Sequence, residues 1–411
     1  MFRRRRLGLG MVALAAAGIV ALPTAATAAP AAPAWGTASG PRPLVAGPGA
    51  EWSWGYNGLG QLGNGTTANS AVPVRVSGLT GLTQVVGIAA GRYAGYAVRR
   101  DGTAWSWGYN AYGQLGNGTT ANSTVPVRVR GLTRVVALAG GSANGYALRG
   151  DGTVWAWGYN NYGQLGNGTT TNSRVPVRVV GLTRVIAIAS GGTTAYALRQ
   201  DGTVWAWGDN DEGQLGNGTT ADSPLPVRII GLSAVKAIAG GQEAGYALRR
   251  DGTVWAWGAN DEGQLGNGSI VSSTVPVVIS NLTGVTAIAA SSEGASGYAL
   301  RGDGTAWAWG LNNTGQLGNG TDDTSLVPVP VNGTTGLVGV TAISAGSFSG
   351  YALREDGTAW AWGSNFFGQL GKGLTTPPYS LLPVQVSGIA GAQAVAGGGF
   401  SGYTLVNTWD R

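Results

Sequence analysis

The side chains able to do chemistry in this chain are few, and they are carboxylates. The sequence contains no histidine and no cysteine. The commonest general base, the thiolate nucleophile and the zinc–thiolate site are therefore all missing. Asp209, Asp211 and Glu212 begin like a calcium-binding loop, but the glycine arrives one residue early, at Gly213, and no glutamate stands at the twelfth position. The EF-hand pattern fails on both counts. No Ser/His/Asp set, phosphate loop or metal-ligand spacing occurs, and nothing pairs the carboxylates for acid–base work. The expectation is a non-enzymatic protein with no cofactor and no metal. Asn-Gly-Thr/Ser recurs at Asn64, Asn117, Asn167, Asn217, Asn267, Asn319 and Asn332. Formally this is a glycosylation acceptor, but Asn-Gly is also a preferred turn pair. The position repeats with the chain, which favours the turn.

The elements that carry these residues are set by a repeat. A Trp-x-Trp-Gly start followed by a Gly-Gln-Leu-Gly core appears seven times, as in Trp205 to Thr220, WAWGDNDEGQLGNGTT. The second tryptophan falls at Trp54, Trp107, Trp157, Trp207, Trp257, Trp309 and Trp362, at intervals of 53, 50, 50, 50, 52 and 53 residues. A period near fifty signals a propeller, solenoid or array. Each unit reads as four strands. In one of them, VIAIASG and AYALR are joined to TVWAW by an Asp-Gly hairpin turn, and a long loop leads to LPVRII. The first strand is rich in alanine and glycine, which suits crowding around an axis. The fourth carries proline in every copy (Pro73, Pro126, Pro176, Pro226, Pro276, Pro328, Pro383), with Arg75, Arg128, Arg178 and Arg228 two residues on in four copies. Proline and charge together mark a protected outer edge. The tryptophans share one face of the third strand and read as core rather than as a stacking surface.

The two ends complement each other. The first unit begins at its third strand (GAEWSWG), and the last stretch supplies a first and a second strand (AVAGGG, GYTLVNTWDR) with no third after them. Joined, they complete one unit, so the expected fold is all-β: seven four-stranded blades in a ring, one blade closed by N- and C-terminal strands.

Residues 1–28 carry Arg3 to Arg6, an apolar run and Ala26-Thr27-Ala28, the pattern of a secretory signal peptide. Residues 29–50 are an Ala/Pro/Gly-rich linker, and residues 51–411 form the ring. Loss of the four leader arginines takes the net charge from +6 to +2. No nucleic-acid footprint remains, and no membrane contact is expected after cleavage. The expected product is an extracellular monomer.

At the Asp-Gly-x-x-Trp-x-Trp-Gly strand and the x-Asn-x-x-Gly-Gln-Leu-Gly-Asn-Gly loop, as in Asp151 to Gly168, DGTVWAWGYNNYGQLGNG, the chain resembles the regulator of chromosome condensation repeat family. The resemblance covers residues 51–411 and implies a seven-bladed β-propeller, in agreement with the strand count. Nuclear members exchange nucleotide on a small GTPase and bind chromatin. Others are plant ultraviolet receptors, and a secreted bacterial branch inhibits β-lactamases. The family commonly places a histidine before the second strand. Here that position holds Ala94, Asn144, Thr194, Ala244, Ser296, Ser349 and Ser401, so no contact that depends on this histidine carries over.

The informative positions are those where the repeat varies. The two residues before the Gly-Gln-Leu-Gly core place Leu59, Tyr112, Tyr162, Phe366 and Phe367 in one apolar crescent around the ring. Asp211, Glu212, Asp261 and Glu262 form an adjacent acidic arc. Drift of surface loops would also vary these positions. Read as a site, they make a partner-binding rim. Arg92, Tyr93, Phe348 and Phe400, between the first and second strands, are read as belonging to the opposite rim. The function expected is a secreted binding scaffold for a protein or glycan partner. The alternatives are an inhibitor of an extracellular enzyme such as a β-lactamase and, by family analogy alone, a nucleotide-exchange factor.

Overall fold

The structure is a computed structural model, and it describes residues 49–76, 84–291, 295–332 and 337–407. The leader, and the linker up to residue 48, lie outside the described residues. Those residues form 28 β-strands and no helix. Blade 4 shows the common plan. Val185–Gly191 lies innermost, followed outward by Thr194–Arg199, Val204–Gly208 and Ser223–Arg228, all antiparallel. Blades 2 to 7 occupy residues 85–128, 135–178, 185–228, 235–278, 285–330 and 340–385. Blade 1 is composite. Ala392–Gly397 and Ser401–Asn407 supply its inner half, and Gly49–Gly55 and Ser70–Arg75 its outer half. The seam is the pairing of Gly49–Gly55 with Ser401–Asn407 through seven successive residue pairs. Each first strand touches the first strands of both neighbouring blades, and the last returns to the first, so the ring is closed.

The cement between blades is the Gly-Gln-Leu-Gly core. The main-chain carbonyl of Gln214 accepts from the Tyr196 hydroxyl of its own blade and from the Trp257 indole of the next, both at 2.9 Å. The same double acceptor recurs at every interface. At the seam, Trp54 donates to the Gln369 carbonyl and Tyr403 to the Gln61 carbonyl. Each such tryptophan is fully buried and meets the preceding blade's tyrosine edge-on, as Trp257 meets Tyr196 at 5.9 Å. Six of the seven blades have glycine opposite the ring, where a Cβ at Gly245 would collide with the Trp257 indole, and blade 4 has Ala195 opposite Trp207. The first tryptophan of each pair is only half buried.

The Asp-Gly turn differs from the simplest expectation. The loop has three residues: Gly202 N–H bonds the Arg199 carbonyl, and Arg199 N–H bonds Thr203. Asp201 is the third residue of the four-residue turn from Arg199 to Gly202, and Gly202, its last, takes the left-handed conformation at φ +78°. The aspartate accepts from the Thr203 N–H and hydroxyl and is a turn residue. Six of the Asn-Gly-Thr/Ser sites are also turns, as at Asn217, whose Oδ1 accepts from the Thr219 N–H at 3.1 Å and the hydroxyl at 2.9 Å; the site at Asn332 extends outside the described residues.

One residue breaks the pattern inside the core. Glu51 stands where the other blades have Ala104, Val154, Val204, Val254, Ala306 and Ala359. It is 1% exposed, and among the described residues neither carboxyl oxygen has a hydrogen-bond partner. Burial raises its pKa well above the usual value. The folded chain keeps the proton through the range where the unfolded chain ionises. Stability is therefore lost as pH rises above about 4, until the folded group also ionises. Glu51→Val is expected to raise the melting temperature by about 3 °C or more at pH 8 and by clearly less at pH 4. Thermal melts at both pH values check this, and an equal gain at both would contradict it.

Candidate binding site

An antiparallel four-stranded blade sends its first–second loop and its third–fourth loop to the same end. This corrects the sequence reading of two opposite rims: Tyr93, Phe348 and Phe400 share a face with Tyr112 and Phe367. The long third–fourth loops are rigidly held there. In blade 4, the buried Asn210 accepts from Leu215 N–H and donates to the Thr219 and Ala221 carbonyls. Gln214 Oε1 accepts from Glu212 N–H. Residues at the loop tips are thus presented on a fixed frame.

The tips of blades 7, 1, 2 and 3 form one unbroken aromatic belt. Phe348 stacks on Phe400 at 6.4 Å, and Phe400 meets Phe367 at 5.5 Å. Tyr56 packs against Phe367 at 5.0 Å and Tyr93 at 6.1 Å. The belt continues from Tyr93 to Tyr109 (6.2 Å) and on to Tyr112 (6.3 Å). From there it runs to Tyr159 (5.1 Å) and Tyr162 (6.3 Å). Of the expected crescent, Tyr112, Tyr162 and Phe367 lie within this belt. Phe366 stands beside it, 58% exposed. Leu59 is half buried on the same face and makes no part of the ring-to-ring chain. The guanidinium of Arg92 lies over Tyr93, 4.6 Å from the ring centroid, and burial lowers its pKa to about 10. A cleft of about 330 Å³ opens beside Tyr112, bounded by Asn172 and Arg174.

Blades 4 and 5 carry the acidic sector. Asp211 and Glu212 are exposed, as are Asp261 and Glu262. Glu243 joins them from the first–second loop of blade 5. Its surface stays accessible, but its carboxyl is crowded. Burial, and then Glu212, Asp209, Asp261 and Asp211, push its pKa up to about 7. Glu243, Asp261 and Glu262 border a cavity of about 240 Å³. Part of its space exists because Ala259 stands where blades 1 to 3 have Tyr56, Tyr109 and Tyr159. The carboxylates of Asp209, Asp211 and Asp222 lie within 4.8 Å of one another. Their oxygens suit a hard cation by type. Asp209 and Asp222 already accept loop hydrogen bonds, however, from the Thr193 hydroxyl and Asn210 N–H, and no metal is assigned.

Residue-by-residue reading missed Tyr56, Tyr109 and Tyr159, together with Glu243 and Asp222. A signal was present for most of them. The residue after Trp-x-Trp-Gly is tyrosine in three successive blades and then Asp209. Asp222 replaces the asparagine that caps the same loop as Asn69, Asn122 and Asn172.

Comparison with known proteins places this architecture. The family model described as RCC1-like domain matches residues 44–339, and the regulator of chromosome condensation (RCC1) repeat matches residues 340–369 and 356–403. The chain belongs to the RCC1 repeat family. Among curated relatives of this RCC1-repeat protein, the Arabidopsis thaliana ultraviolet-B receptor UVR8 is 42% identical over 77 residues, 19% of this chain and 17% of the receptor. The human E3 ubiquitin-protein ligase HERC2 is 35% identical over 97 residues, 24% of this chain and 2% of the ligase. The matched stretches thus span a small fraction of either relative. The yeast RCC1 protein Prp20, in its structure with Kap60, superposes with a TM-score of 0.77 at 22% identity, covering 88% of this chain and 90% of that one. Human WBSCR16 gives 0.75 at 22% identity, covering 88% and 99%. At such identity these structures share the fold.

Proposed function

We propose that this RCC1-repeat propeller is a secreted, non-enzymatic scaffold that binds a protein partner on its loop face. The observation that carries the reading is the aromatic belt across four consecutive blades, ending at the acidic sector of blades 4 and 5. Large aromatic side chains on a rigid frame give contact area at low ordering cost. The carboxylates orient a partner and speed its arrival. The partner's matching surface is therefore apolar, flanked by lysine or arginine. Prp20p of Saccharomyces cerevisiae, which shares the fold, is described as binding Gsp1p and histones, so protein binding has precedent on this architecture. Secretion rests on the leader-like residues 1–28. Inhibition of an extracellular enzyme is a special case, in which the belt covers that enzyme's cleft.

The test is capture of a partner from culture medium on immobilised protein, followed by association kinetics. Asp211→Asn with Glu262→Gln is expected to slow association several-fold at low salt and to flatten its salt dependence, with dissociation nearly unchanged. Glu243→Gln should remove the strengthening of binding as pH rises through about 7. Association indifferent to all three substitutions would count against the acidic sector.

A further inference from the structure

The face opposite the loops carries the second–third hairpins and the fourth–first connections, and two groups stand out among its arginines. One per hairpin is spent locally, as Arg199 is, 3.6 Å from Asp201 and over the Trp205 ring. The second group is Arg75, Arg128, Arg178 and Arg228, near the ends of the fourth strands of blades 1 to 4, with Arg134 and Arg184 in the connections that follow blades 2 and 3. All six are exposed. Unlike Arg199, none forms an ion pair within 4.0 Å among the described residues. The corresponding fourth-strand positions in blades 5, 6 and 7 hold Val278, Pro330 and Gln385. The result is a cationic crescent confined to one side of the ring.

Edge protection accounts for an arginine on an outer strand, but not for Arg134 and Arg184, which lie outside the strands. These two adopt left-handed backbone, at φ +55° and +54°. Glycine takes that conformation without strain, and Gly284, Gly339 and Gly391 occupy the equivalent connections at φ +67° to +68°. Gln84 and Ala234 share the conformation at φ +69° and +53°. Arginine stands at two places where glycine is conformationally better, and each helps to hold a hairpin carboxyl, Asp151 or Asp201, below its usual range.

We propose that this crescent binds a linear acidic polysaccharide. The guanidinium groups are spread along an arc over several blades, so they suit a chain of repeated carboxylates or sulfates rather than one small anion. Arginine forks match such groups in a bidentate manner. In blades 3 and 4, Trp155 and Trp205 lie under Arg149 and Arg199 at 6.0 and 5.9 Å, and there offer no open platform on which the bases of a single-stranded nucleic acid could stack. The site is independent of the loop-face partner.

The experiment is binding of fluorescent polygalacturonate and heparin to the full chain at about 50 mM salt, where surface charges are incompletely screened. Arg134→Gly with Arg184→Gly is compared with wild type, and Arg178→Gln with Arg228→Gln is the second pair. Wild type is expected to bind at least one polysaccharide. Each pair should lose about tenfold or more, with a shallower salt dependence. The glycine pair should melt at or above the wild-type temperature, because it relieves left-handed strain. Three results would each overturn the proposal: no binding by wild type, binding unchanged in both pairs, or tighter binding of a DNA duplex than of either polysaccharide.

Discussion

Deleting residues 402–411 opens the ring. The second strand of blade 1 then keeps only Ser401, and Trp52 and Trp54 lose their partners Thr404 and Gly402 across the seam. Tyr403 and Leu405 leave the cluster they form with Trp107 and Val85, and the Gln61 carbonyl loses one of its two donors. Every blade interface depends on two neighbours, so an open ring leaves two blade faces bare. The expected result is a fall in melting temperature of more than about 10 °C, or loss of a single cooperative transition. The change is read by calorimetry, with near-ultraviolet circular dichroism reporting the tryptophans. A truncated chain that melts like wild type would show that the composite blade does not hold the ring shut.

The second large effect is on binding. Phe366 and Tyr162 are the most exposed aromatic side chains of the loop face, 58% and 36% accessible. Tyr112 and Phe367 are more enclosed, each within about 5 Å of a neighbouring ring. Phe366→Ala with Tyr162→Ala is therefore expected to leave the melting temperature nearly unchanged and to weaken the loop-face partner by about 2 kcal/mol or more. Tyr112→Ala with Phe367→Ala should weaken binding as well, with a measurable loss of stability because each belongs to the packed belt. Melting and affinity measured on the same four-residue set separate contact from support. If the exposed pair lowers stability while affinity holds, these rings are packing and the face is not the site.

Most of the architecture was legible because it is written seven times. The period, the Asp-Gly pair, the alanine-rich first strand and the proline-bearing fourth strand each recur, and the composite blade follows from what the two ends lack. Three features were not legible. The Gln carbonyl that accepts from Tyr196 and Trp257 is a main-chain atom, so no side-chain pattern announces it. The shared face of Tyr93 and Tyr112 follows from strand direction, which a residue list does not show until the meander is traced. Glu51 precedes a Trp-x-Trp-Gly like any other, and only alignment of the seven copies shows it at a position that is otherwise alanine or valine. The aromatic crescent was anticipated in outline. It proved longer, because the tyrosines that link its members stand in a different column of the repeat.

The central claim is that the loop face of blades 7, 1, 2 and 3 holds the partner. The most direct measurement places a photo-crosslinking phenylalanine analogue at Phe366 or Tyr162, and, as a control, at Glu355 on the hairpin face. Each protein is then irradiated in culture medium. The account predicts one discrete crosslinked species from the two loop-face positions and none from Glu355, and a several-fold slower yield of that species when Asp211→Asn and Glu262→Gln are added at low salt. The same species from Glu355, or no crosslink from either loop-face position, would contradict it.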